Sequence, residues 1–162
     1  MTKTILGSLL AATVIICVAV GLPRQQAAAV GNPDVVTAAG AGIFPAGANF
    51  NGVQLAGGTF GIGVQTDGAG TAKGDLEAQL NGTSLIGLSQ WITITGWITS
   101  GTLNPDGSMT FNGTCTLDMG DGTPPAGGLA LVANLSATGL TLTVGSTVLP
   151  TLPKSDGWVF TE

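Results

Sequence analysis

The chain contains no histidine and no tyrosine, and only 8% of its 162 residues are charged. Without histidine there is no Ser-His-Asp triad, no Cys-His pair and no histidine-based zinc site. Cations are scarcer still: Lys3, Arg24, Lys73 and Lys154 are the whole set. A nucleic-acid surface needs clustered Lys or Arg to neutralise phosphates, and attraction to anionic lipid needs the same, so neither partner is expected. Cysteine is limited to Cys17 and Cys115. The first lies in an N-terminal segment expected to be removed, so no internal disulfide is expected and stability must come from packing. Cys115 then reads as a small buried apolar residue. Beyond residue 30 no apolar run is long enough to cross a bilayer as a helix.

What is present begins with Lys3, an apolar run over residues 5–22, and "PRQQAAAV" with an A-x-A pattern at Ala27, Ala28 and Ala29. A basic start, an apolar middle and a small-residue end predict a secretory signal peptide over residues 1–29. The rival reading is an uncleaved anchor, because the run is just long enough to span. Residues 30–162 then form one secreted or cell-surface domain, long enough for a single core. It carries all nine acids against Lys73 and Lys154, a net charge of −7. Low charge with abundant Gly and β-branched residues fits an extracellular β domain rather than a disordered tail.

Its pattern has a period of two. In "TAKGDLEAQL" (71–80), Ala72, Leu76, Ala78 and Leu80 share one face, and Lys73, Asp75, Glu77 and Gln79 the other. In "SMTFNGTCTL" (108–117), Met109, Phe111, Cys115 and Leu117 oppose Thr110, Asn112, Thr114 and Thr116. Such alternation predicts strands with one wet and one buried face. Further strands are expected over 58–66, 129–137, 140–149 and 157–162. "TDGAG" (66–70), "NGTS" (81–84), "NPDGS" (104–108) and "ATG" (137–139) supply turn residues between them. Turns every ten to fifteen residues leave no room for crossover helices. The expected fold is all-β, an antiparallel meander closing as a small β-barrel, with a β-sandwich as the alternative. Residues 37–52 are expected to be irregular apart from an edge strand at 42–44.

Within 84–100, Trp91, Thr93, Thr95 and Trp97 share one face and Ile92, Ile94 and Ile98 the other. Both faces are apolar enough to be covered, by a loop, a cavity or a partner. The stretches "GTFGIGVQTDGAGTAKGDLEAQL", "ITITGWITSGTLNPDGSMTFNG" and "LDMGDGTPP" resemble small secreted bacterial β domains of unknown function found on surface proteins. The resemblance covers about residues 55–125. It implies a β fold and export, and brings no catalytic residue.

Four candidate sites follow. Asp75 and Glu77 share one strand face, the only pair of acids nameable for acid–base work, but nothing apolar nearby would raise either pKa and the wet face of an amphipathic strand beside Lys73 is the reading preferred. Asp118 and Asp121 in "DMGDGTPP" are candidate calcium ligands, with Asp156 as the expected third from a loop at the same end; a plain turn is the other reading. Trp91 and Trp97, about 20 Å apart along a strand, suit stacking on an extended carbohydrate, or else belong to a core or interface. Inward small residues, among them Ala72, Gly74, Ala78, Gly113 and Ala133, leave room for a small apolar ligand or let the interior fill. The function expected is a non-enzymatic binding or structural domain of unknown target. The alternative is a carrier of a small apolar ligand in a barrel cavity, and the third reading is carbohydrate binding through Trp91 and Trp97. No cofactor is required unless calcium binds, and nothing signals an oligomer.

Overall fold

The computed structural model describes residues 34–67 and 70–161. The expected signal peptide or anchor, residues 1–29, lies outside the described residues. The described strands all belong to the compact unit Gly31–Glu162. They are β1 (Asp34–Ile43), β2 (Asn49–Phe50), β3 (Val53–Thr66), β4 (Thr71–Thr83), β5 (Ser89–Leu103), β6 (Met109–Asp118), β7 (Ala126–Ser136), β8 (Gly139–Val144), β9 (Thr147–Val148), β10 (Leu152–Pro153) and β11 (Asp156–Thr161). Among the described residues no helix is long and apolar enough to cross a membrane.

The strands form one continuous antiparallel half-barrel sheet in the order β10-β8-β7-β6-β5-β4-β3-β1-β11. β3 to β8 follow one another as a meander, which is what short turns without crossovers allow. A sandwich would need two stacked sheets. The last strands reach both ends of the sheet. Leu152 pairs with Leu140 of β8, while Asp156 pairs with Ala41 of β1. Between them, the Lys154 N–H donates to Thr138 O at 2.8 Å and the Ser155 N–H donates to Ala41 O at 3.0 Å.

The concave face is the core. Leu76, Ala78 and Leu80 of β4 meet Ile92, Ile94 and Ile98 of β5, then Phe111 and Cys115 of β6 and Leu131 of β7, all buried. Cys115 is fully buried, and loss of solvent pushes its thiol pKa up. The alternation read in 71–80 and 108–117 is therefore the inside–outside alternation of β4 and β6.

The inward glycines are not voids. Gly40 pairs with Phe60 and Gly101 with Phe111 across neighbouring strands. A Cβ on Gly40 would sit 2.7 Å from the Phe60 ring, and one on Gly101 2.6 Å from the Phe111 ring. Each glycine leaves the space its aromatic neighbour fills, a device that also lets the sheet curve.

Two expectations are corrected. Residues 34–43 form a full strand paired on both sides, with β3 and β11, not an irregular stretch. Its inward positions include Ala38, Gly40 and Gly42, too small to give a contrast in hydropathy. The "NGT" of residues 81–83 is not a turn. It continues β4, paired with β5, and the chain reverses at 84–88 instead.

Candidate binding face on the β4–β5 hairpin

β4 and β5 are joined by a tight turn. The Ser84 N–H donates to Leu88 O at 2.8 Å, and the Gly87 N–H to Ser84 O at 2.9 Å. Gly87 has φ 81, the left-handed conformation that a type I turn with a following bulge requires. The hairpin then fixes what faces outward. Ile92, Ile94 and Ile98 enter the core, so by the period of two Trp91, Thr93, Thr95 and Trp97 leave it. Trp91 is 64% exposed and Trp97 51%. Only the isoleucine face of this strand is covered, not both faces.

Register sets the neighbours. Trp91 stands beside Asn81, Thr93 between Gln79 and Asp118, Thr95 between Glu77 and Thr116, and Trp97 between Asp75 and Thr114. Gln79 Nε2 donates to Glu77 Oε1 at 2.8 Å, tying two members of this polar row. Beyond it, β3 is bare beside Glu77 and Asp75, where a Cβ added at Gly61 or Gly63 would meet nothing within 4 Å, and carries Thr59 beside Gln79. Near the turn, an open groove of about 460 Å³ runs over Gly57, Thr59, Gln79 and Asn81, walled by Ile43 on one side and Trp91 on the other.

A second cleft, about 440 Å³, lies at the turn end of the hairpin, between Leu85 and Leu88, the Asn51–Gly52 turn, and Met119 to Asp121. Gln90 Nε2 donates to Met119 O at 2.6 Å and holds this loop against β5. The loop of Asp118 and Asp121 is thus placed at the tip of the β4–β5 hairpin. Its carboxylates cap their own turns. Asp118 Oδ1 accepts from the Gly120 N–H at 2.8 Å; Asp121 Oδ1 accepts from the Thr123 N–H at 2.9 Å and from Thr123 Oγ1 at 2.6 Å. Those Thr123 bonds hold the Asp121 carboxyl below the usual carboxylate range. Asp156 does not join them. It pairs with Ala41, and the register runs on through Thr59, Gln79 and Thr93 to Asp118, five strands away. That is roughly 24 Å along the sheet. Among the described residues no three His, Cys, Asp or Glu side chains are grouped closely enough to hold a metal ion.

Asp75 and Glu77 also stand outward and exposed, on the polar row rather than in a cleft. Inside, the space bounded by Phe44, Ala78, Leu80, Leu140, Leu149 and Leu152 amounts to about 10 Å³. A small-molecule site is typically about 300 Å³ or more. The sequence marked Trp91 and Trp97 but not Asn81, Gln79 or the bare β3 surface beside them. The signal for those was present, since Gln79 belongs to the wet face of 71–80, but only the register shows which wet face lies next to the indoles.

Compared with protein-family models, with curated proteins and with solved structures, the chain matches none.

Proposed function

We propose that this chain is an exported, non-catalytic binding domain that presents the outer face of its β4–β5 hairpin to a ligand outside the cell. The observation that carries this reading is the pair of indoles. Two large aromatics stand in solvent on one face of a strand whose other face is fully buried. Aromatic side chains are normally among the most buried, and they dominate contact surfaces when they are not. The N-terminal basic–apolar–small pattern supports export. The large apolar side chains of β4 and β6 point inward and their outer positions are charged, amide or hydroxyl residues, the reverse of a membrane-spanning barrel, which carries its apolar band outside. A chain without histidine, whose paired acids Asp75 and Glu77 lie on an open face, supports binding over catalysis. Among the described residues, the space between Phe44, Leu80, Leu140 and Leu152 is too small for a ligand, which supports a surface site over a carrier's cavity at that place.

The experiment is retention of the labelled domain on insoluble cell-envelope and extracellular material, compared with a variant carrying Trp91→Ala and Trp97→Ala. The variant should melt within a few degrees of the parent, because neither indole is core, and should lose retention. Equal retention by both proteins overturns the reading.

We also propose that the half-barrel closes completely. The support is the seam at 152–156, where consecutive amides of Lys154 and Ser155 bond to opposite ends of the sheet. Hydrogen exchange at these two amides should be as slow as in β4. Exchange at loop rates means an open sheet.

A further inference from the structure

We infer that the ligand of this face is a neutral, extended polysaccharide lying along β4 and β5; the inference rests on the binding reading above and names its chemistry. Six residues of strand separate Trp91 from Trp97, about 20 Å. The surface between them is Thr93, Thr95, Gln79 and Glu77, polar throughout. The centre of a protein interface is depleted of charge and apolar, whereas here the apolar side chains Leu85, Ile86 and Leu88 lie at the turn beyond Trp91 and the stretch between the indoles is polar. A sugar chain fits the observed order. Each pyranose ring offers a C–H face to stack on an indole, and a rim of hydroxyls to bond beside it. The two indoles serve two rings of one chain, and the row between them serves the hydroxyls.

The polar row is biased in the same direction. One Gln79 amide N–H donates to Glu77 Oε1, which leaves the Gln79 carbonyl oxygen, its second N–H and the other Glu77 oxygen to bond a ligand. Hydroxyl groups both donate and accept. Asp75 beside Trp97 and Glu77 beside Thr95 place negative charge on the face, and of the two lysines of residues 34–161 only Lys73 lies on β4. An acidic polymer is repelled there, which favours an uncharged sugar chain over an anionic one. The bare backbone of Gly61 and Gly63 beside Glu77 and Asp75 lets a flat polymer approach that part of the row without meeting β3 side chains. The groove between Ile43 and Trp91, with Asn81 and Gln79 in its floor, is where the first ring seats against an indole.

Affinity electrophoresis tests this with defined probes: gels containing hydroxyethylcellulose, galactomannan or soluble β-1,3-glucan as neutral polymers, and polygalacturonate as the acidic one. The domain should be retarded in at least one neutral gel and not by polygalacturonate. Trp91→Ala and Trp97→Ala should each weaken retardation several-fold, and the pair together roughly a hundredfold, with Phe at both positions restoring part of it. Gln79→Ala should weaken it with no change in melting. Absence of retardation in every neutral gel overturns the inference, as does retardation that the double variant keeps. The two readings fail separately. If the double variant loses retention on envelope material while no neutral polymer binds, or polygalacturonate alone binds, the face stands and the polysaccharide is wrong. If the double variant loses nothing anywhere, both are wrong.

Discussion

The turns at 84–88 and 104–108 close the two ends of β5. In the first, the Ser84 N–H donates to Leu88 O and the Gly87 N–H to Ser84 O, at 2.8 and 2.9 Å; in the second, the Asn104 N–H donates to Ser108 O and the Gly107 N–H to Asn104 O, at 2.8 and 3.0 Å. Gly87 and Gly107 have φ 81 and 80. Each turn has one side-chain oxygen that accepts a backbone N–H, Ser84 Oγ from Leu88 at 3.1 Å in the first and Asp106 Oδ1 from Ser108 in the second, but the other side chains differ. The second turn carries Pro105, Asp106 and Ser108, and Asp106 Oδ1 accepts from the Ser108 N–H at 2.9 Å and from Ser108 Oγ at 2.7 Å. The first carries Leu85, Ile86 and Leu88, which are 88%, 81% and 62% exposed. The backbone geometry requires only the glycine. The polar turn uses its remaining positions to stabilise itself, while the apolar turn spends them on surface that folding does not require. Because the apolar turn adjoins Trp91, the hairpin is exposed and apolar from its tip into the proposed binding face.

The largest effect that can break this comparison is a transplant into the polar turn. Pro105→Leu with Asp106→Ile and Ser108→Leu should lower stability by about 2–3 kcal/mol in urea unfolding, since it removes the Asp106 and Asn104 bonds to Ser108 and the preset φ of proline. A cost near zero would mean those bonds contribute nothing. Next, Gly87→Ala and Gly107→Ala should each cost about 1 kcal/mol and should match, because neither added Cβ meets an atom and only backbone strain is involved. Unequal costs would show that the turns differ in backbone after all. The reverse transplant, Leu85→Pro with Ile86→Asp and Leu88→Ser, should raise stability, by less than the first transplant lowers it, while reducing retention on an apolar resin. The smallest effect concerns pH. The Ser108 bonds lower the Asp106 pKa from 3.8. A lowered folded-state value stabilises above the unfolded value, and that contribution is lost as pH falls below 3.8 through the folded one. Asp106→Asn should therefore flatten part of the melting-temperature decline below pH 4, and no substitution within 84–88, which holds no titratable side chain, should do so.

The same contrast explains what the sequence could reveal. β4 and β6 were legible because Leu76, Leu80, Phe111 and Leu117 alternate with charged and hydroxylated neighbours. "NPDGS" was legible because its side chains make the turn's own bonds. "SLIGL" was not, because Leu-Ile-x-Leu reads as buried strand, and "NGT" just before it offers stronger turn residues. Those residues sit inside β4, where Gly82 lies so close to Gln54 O that a Cβ would clash. β1 escaped notice because its inward residues are small. The exposure of Trp91 and Trp97 depended on what packs over the outer face, which is a tertiary property. The placement of Asp156 depends on how many strands stand between it and Asp118, and β1, one of them, carries little hydropathy contrast in the sequence.

The glycine–phenylalanine pairs have a consequence for how this chain can vary. Gly40 with Phe60, and Gly101 with Phe111, each conserve one shared volume between two positions. Neither member can grow alone, and shrinking the ring alone leaves a hole. The permitted path is a simultaneous exchange, Gly40→Ala with Phe60→Leu or Gly101→Ala with Phe111→Leu. In a double-mutant cycle each pair should be strongly non-additive, the second change recovering part of what the first loses. Substitutions at Gly40 and Phe60 would then be inherited together across related chains, and so would those at Gly101 and Phe111.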